Sequence, residues 1–118
     1  MSLFHKNVGI PPKYLDFFHG RSYDLITSNH ARHAAKDDRY GVIIIPARLT
    51  IIREEIIEIE INGCVVNKVV VRHHYNAKLD IVLVIIPRQN KTALIKTVWA
   101  NRITDNHSTL NKRRYANN

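Results

Sequence analysis

Between residues 55 and 100 the chain is organised by a period of two. Glu55-Ile56-Ile57-Glu58-Ile59-Glu60-Ile61 alternates charged and apolar side chains, the mark of a strand with one face in a core. Asn62-Gly63 follows, the strongest short signal for a hairpin, and Cys64 to Tyr75 resumes as a long strand. A turn across Asn76 to Asp80 leads to Ile81-Val82-Leu83-Val84-Ile85-Ile86. The Pro87-Arg88-Gln89-Asn90 turn then leads to a last strand from Ala93 to Ala100. These spacings predict a four-stranded antiparallel meander. The strand at Ile81 to Ile86 is apolar on both faces, so it belongs at the centre, covered on both sides.

Ahead of the meander the period lengthens to that of a helix. Ser28 or Asn29 supplies an N-cap, Ala31, Ala34 and Ala35 supply helix propensity and a narrow buried stripe, and Gly41 stops the element. Pro11-Pro12 holds off any earlier helix until Lys13. A short turn from Pro12 sets Tyr14, Phe17 and Phe18 on one side, as packing groups for the core first and as base-stacking rings second, and Gly20 ends it. Val42 to Ile45, closed by Pro46, and Ala47 to Glu55 have no decisive period. The expected fold class is α+β, with N-terminal helices packed on a four-stranded antiparallel β-meander. The expected organisation is one domain over residues 1–118. It comprises an N-terminal extension over 1–21, helix and sheet over 22–100, and a polar C-terminal loop with a basic tail over 101–118.

Alternation sorts the polar residues by face. On the long strand Val69 and Val71 project with His73 and Tyr75, while Lys68, Val70, Arg72 and His74 project the other way, so the cations form a row. On the last strand Lys96 and Thr97 point to opposite faces, and both reach one site only if a bulge intervenes. Trp99 reads as core.

Composition narrows the class. An apolar fraction of 45% and a charged fraction of 24% are those of an ordinary globular domain. No apolar run approaches the roughly 20 residues of a membrane span, and no cleavable leader opens the chain, so no membrane partner is expected. Cys64 is the only cysteine, which excludes an intrachain disulfide and fits a reducing, cytoplasmic location. The net charge is +8, and it is unevenly placed. Beyond residue 61 there are ten Lys and Arg against Asp80 and Asp105 alone, while the earlier segment is balanced. A polyanion is the natural complement of that excess, and a solubilising cationic surface is the bland alternative.

Candidate chemistry lies in the histidines. His30, His33 and Asp37 line one edge of the helix, a weak pattern for a metal and more simply a surface edge. Asp105 and His107 stand close enough in a polar loop for the carboxylate to orient the imidazole for proton transfer. The plain alternative is a capped turn leading into Lys112-Arg113-Arg114.

The His30-Ala31 pair that opens the helix, followed by an antiparallel meander and a basic tail, resembles the RelE, BrnT, EndoU and colicin-tRNase group of small ribonuclease folds. The stretch Lys96-Thr97-Val98-Trp99-Ala100-Asn101, with Asp105, His107, Thr109-Leu110 and Tyr115, is similar to a motif of small phage proteins. The likeness spans about residues 22–115 in outline. It implies a helix on one face of the sheet and a cleft holding catalytic His, Arg, Lys or Thr, carried over here to His30, Arg72, Lys96, Thr97 and His107.

On that reading the chain is a metal-independent endoribonuclease of toxin-like or phage type, with no cofactor. His30 or His107 exchanges protons with the ribose hydroxyl and the leaving oxygen, Arg72 and Lys96 clamp the phosphate, and Thr97 donates to a phosphate oxygen. Lys68, Arg102, Lys112, Arg113 and Arg114 extend the contact along RNA. The alternative is a non-enzymatic nucleic-acid-binding protein or a small inhibitor of a host enzyme. RNA is the expected partner, and a protein antitoxin or a host protein is the second class of partner.

Overall fold

The computed structural model of the chain describes residues 2–6, 10–42 and 44–104. Its elements, in chain order, are β1 (Ser2–Lys6), α1 (Pro12–Phe18), β2 (Ser22–Thr27), α2 (Asn29–Asp37) and β3 (Arg48–Thr50). A 3₁₀ turn (Arg53–Glu55) leads to β4 (Ile56–Asn62), β5 (Val65–His74), β6 (Leu79–Pro87) and β7 (Thr92–Arg102). All seven strands join one sheet in the order β1-β4-β5-β6-β7-β2-β3.

This corrects the expected fold class. The four-stranded meander is the middle of a larger, mixed sheet, and the protein is mostly β with two short helices. Three strands were missing from the expectation. β1 pairs antiparallel with β4, β3 pairs antiparallel with β2, and β2 pairs parallel with β7 through Asp24↔Thr92 to Thr27↔Ile95. The first 21 residues, read as an extension, supply β1 and α1. The reason for the miss is physical: β2 is six residues without clean alternation and β3 only three, and strands that short take their stability from neighbours distant in sequence.

The remaining local signals act as their chemistry dictates. Pro12 occupies the first helical position of α1, where a missing N–H costs nothing. Ser28 caps α2, its hydroxyl accepting from the Ala31 N–H at 3.0 Å. Gly63, at φ +65°, is the first of two turn residues between β4 and β5, the type II′ pattern.

Side chains divide between two faces. The larger core joins Val69, Val71, Ile81, Leu83, Ile85 and Ile95 to Phe18 of α1 and to Ala31 and Ala35 of α2. Both helices therefore cover the same face. On the reverse face Ile57, Val70, Val82, Val84 and Trp99 form a smaller buried cluster. β6, fourth in the order, contributes to both clusters and is buried from Ile81 to Ile85.

β2 stops pairing at Ile95, so β7 beyond that point would present a bare edge. α2 covers it. The Ser28 N–H donates to the Ile95 carbonyl at 3.3 Å, and at the far end of the helix buried Asp38 takes the Ala100 N–H at 3.1 Å.

Candidate nucleic-acid interface

Pairing registers on the reverse face decide where the expected site residues go. β7 shifts register between Val84 and Ile85 of β6: Val84 opposes Thr97 and Ile85 opposes Ile95, leaving Lys96 as the extra residue of a β-bulge. The condition stated from alternation is met. Thr97 shares the face of Val84, and Lys96 lies beside Lys68 and Glu60, which oppose each other across β4 and β5 on that same face. Burial, and then the neighbouring Lys68 ammonium, lower the Lys96 pKa from its ordinary 10.5.

Lys68, Arg72, Lys96 and Thr97 are thus gathered on one face, but their capacity is largely engaged within the protein. Lys68 Nζ stands 3.8 Å from Glu60, and Asn67 donates to the same carboxylate at 3.3 Å. Arg72 Nε donates to Asp80 at 2.8 Å, and its Nη2 donates to the Arg102 carbonyl at 2.8 Å. Thr97 is buried. Glu58, Glu60 and Asp80 balance the three cations on this face. Exposed His74 adds an imidazole, with Nδ1 3.9 Å from Asp80.

His30 does not join them. It is exposed on α2, whose buried residues pack on the opposite face of the sheet from Arg72. Arg102 is exposed, its guanidinium 5.9 Å from the Tyr40 ring. His107, with Asp105, and Lys112, Arg113 and Arg114 lie outside the described residues. Among the described residues no group of three or more His, Cys, Asp or Glu stands close enough to hold a metal ion, so His30, His33 and Asp37 do not form one.

Unbalanced positive charge collects elsewhere. A cleft of about 950 Å³ opens where α1, the start of β2, β3, the β4–β5 hairpin and the β6–β7 turn meet. Lys13, Arg21, Arg48, Arg88 and Lys91 line it with Tyr14, Phe17 and Tyr23, and among the described residues no carboxylate lines it. Asp24 opposes Arg48 in the β2–β3 register without lining the cleft, and Asp16 is paired with Arg53.

The wall of the cleft is ordered by stacking. The Arg21 guanidinium lies 3.9 Å from the centre of the Phe17 ring, and its Nε donates to the Phe17 carbonyl at 2.7 Å. Phe17 meets buried Phe18 edge-on, with ring centres 5.0 Å apart. Lys13 Nζ sits 5.1 Å from the Tyr14 ring. Burial raises the Tyr23 pKa against the opposing pull of Arg21, keeping the phenol protonated. On the facing wall the β6–β7 turn holds Asn90 and Lys91 at φ 61° and 57°. Two successive left-handed residues make a type I′ turn, which favours glycine where Lys91 stands.

Sequence reading missed this cleft because it treated Tyr14, Phe17 and Phe18 as one group and favoured core packing over base stacking for all three. The available signal was interleaving: Lys13-Tyr14, Phe17 and Arg21 alternate cation and ring along one short segment. What brings Arg88 and Lys91 opposite that segment is tertiary. Comparison of the chain with protein-family models, curated proteins and solved structures returns no match.

Proposed function

We propose that this chain is a nucleic-acid-binding protein whose partner is RNA, held in the cleft between α1 and the β6–β7 turn. One observation carries the reading: five cations line a single concavity with the exposed Phe17 ring and, among the described residues, no carboxylate lines it. On the reverse face of the sheet, by contrast, Arg72 is matched by Asp80 and Lys68 by Glu60. Uncompensated Lys and Arg beside aromatic surfaces suit a phosphate backbone with accessible bases, which RNA presents in its loops and single strands. The test is fluorescence anisotropy with labelled RNA. An Arg48→Ala, Arg88→Ala, Lys91→Ala triple variant is expected to lose binding by at least about tenfold, while Lys68→Ala stays near wild type. Equal losses in both variants would refute the cleft.

A second reading, a metal-independent endoribonuclease, is favoured by the bulge, which turns Lys96 and Thr97 towards the face of Lys68, Arg72 and His74. His74 then takes the acid or base role expected of His30, and Lys96, with its lowered pKa, faces the phosphate. Incubation with RNA and a chelator is expected to give fragments ending in cyclic phosphate, and His74→Ala to suppress them. Intact RNA after incubation with wild type rules this reading out.

A further inference from the structure

We infer that the cleft selects single-stranded over double-stranded nucleic acid, with Phe17 as the platform on which an unpaired base stacks. This deepens the RNA-binding reading and rests on it. Phe17 is 53% exposed, an unusual position for a large ring whose neighbour Phe18 is 2% exposed. One explanation would be a loosely packed end of a short helix. The contacts argue otherwise. The ring is held by its T-shaped contact with Phe18, and the Arg21 guanidinium, itself tied to the Phe17 carbonyl, covers one of its faces 3.9 Å from the centre, so a stacking base takes the opposite face. A ring fixed in this way loses little conformational freedom when a base settles on it.

The surroundings fit a backbone that passes the platform. Lys13 and Arg21 flank the ring on α1 and at the start of β2, while Arg88 and Lys91 stand across the cleft on the β6–β7 turn. A strand lying between the two walls meets cations on both sides of its phosphates and a π-face below its bases. A duplex offers no such contact, because its bases are stacked on one another and its outer surface is phosphate and sugar. The left-handed Lys91 adds to the case. A lysine where a type I′ turn favours glycine is the kind of local strain that persists where the side chain has a use.

The experiment compares a labelled mixed-sequence RNA of about ten nucleotides with its duplex and with the DNA strand of the same sequence, by anisotropy at one salt concentration. Phe17→Ala and Phe17→Leu are measured beside wild type. Leucine keeps apolar contact with Phe18 and removes only the ring, and thermal melting confirms that each variant is folded. Single strands are expected to bind at least about tenfold tighter than the duplex, and both variants to lose roughly 5- to 100-fold on single strands with little change on duplex. A weaker DNA arm would mark RNA as the preferred form, and equal arms a general single-strand site. Duplex binding as tight as single-strand binding, or folded Phe17 variants with unchanged affinity, overturns the inference and leaves the RNA-binding reading standing. No binding to any of the three ends both.

Discussion

Lys91 is the residue whose local conformation is least explained by folding alone. It adopts φ 57° after Asn90 at φ 61°, and the left-handed region costs a side-chain-bearing residue about 1 kcal/mol relative to glycine. Lys91→Gly is therefore expected to raise stability by about 1 kcal/mol in urea denaturation while weakening RNA binding, an opposed pair of effects. Loss of stability in that variant would show that Lys91 serves the fold. Lys96 makes a second residue-level case. Burial and the adjacent Lys68 lower its pKa, so the folded chain gives up this proton before the unfolded chain does. Its contribution to stability thus rises with pH between the lowered folded value and 10.5, and is lost as pH falls back through that interval. Heteronuclear NMR titration is expected to find Lys96 below 10.5 and to find it moved upward in Lys68→Met, which removes the like charge. An unchanged Lys96 titration in that variant would leave burial as the whole cause.

At the scale of elements, the bulge in β7 is the feature that rearranges the site. Ile95 and Thr97 already occupy opposite faces, opposite Ile85 and Val84, so Lys96 is an insertion in an otherwise regular alternation. Deleting Lys96 is expected to leave a folded protein, losing its carbonyl contact to Ser28 and its place beside Lys68 and Glu60, whereas deleting Leu83 from β6 is expected to unfold it. Dispersed amide spectra for the first variant and collapsed spectra for the second would establish this, and the reverse result would contradict the register. The hairpin between β4 and β5 and the strand β6 were legible in the sequence because their signals are local: a glycine-containing turn and an uninterrupted apolar run. β1, β2 and β3 were not, since each is a short strand recruited by a partner far along the chain.

For the whole molecule, the distribution of charge matters more than its sum. The net charge is +8, yet the reverse face of the sheet pairs Lys68 with Glu60 and Arg72 with Asp80, and the cleft keeps five cations with no lining acid among the described residues. Each phosphate neutralised on a single strand adds about −0.7 to the slope of log affinity against log salt, so cleft binding is expected to give a slope no steeper than about −3.5. A markedly steeper slope would mean that RNA contacts basic residues beyond the cleft, Lys112 to Arg114 among them. Among the described residues no helix is long and apolar enough to cross a membrane.

The sequence by itself determined the antiparallel strands from β4 to β7, the two helix starts at Pro12 and Ser28, and the separation of Lys68 and Arg72 from Val69 and Val71. Each follows from backbone chemistry acting within a few residues. Only the tertiary structure decided that His30 lies across the sheet from Arg72, that Lys96 and Thr97 turn to one face, and that Lys13 and Arg21 stand opposite Arg88 and Lys91. These are matters of strand order and register, which arise from pairing energy between segments as distant in the chain as β2 and β7 and leave no periodic trace in either segment alone.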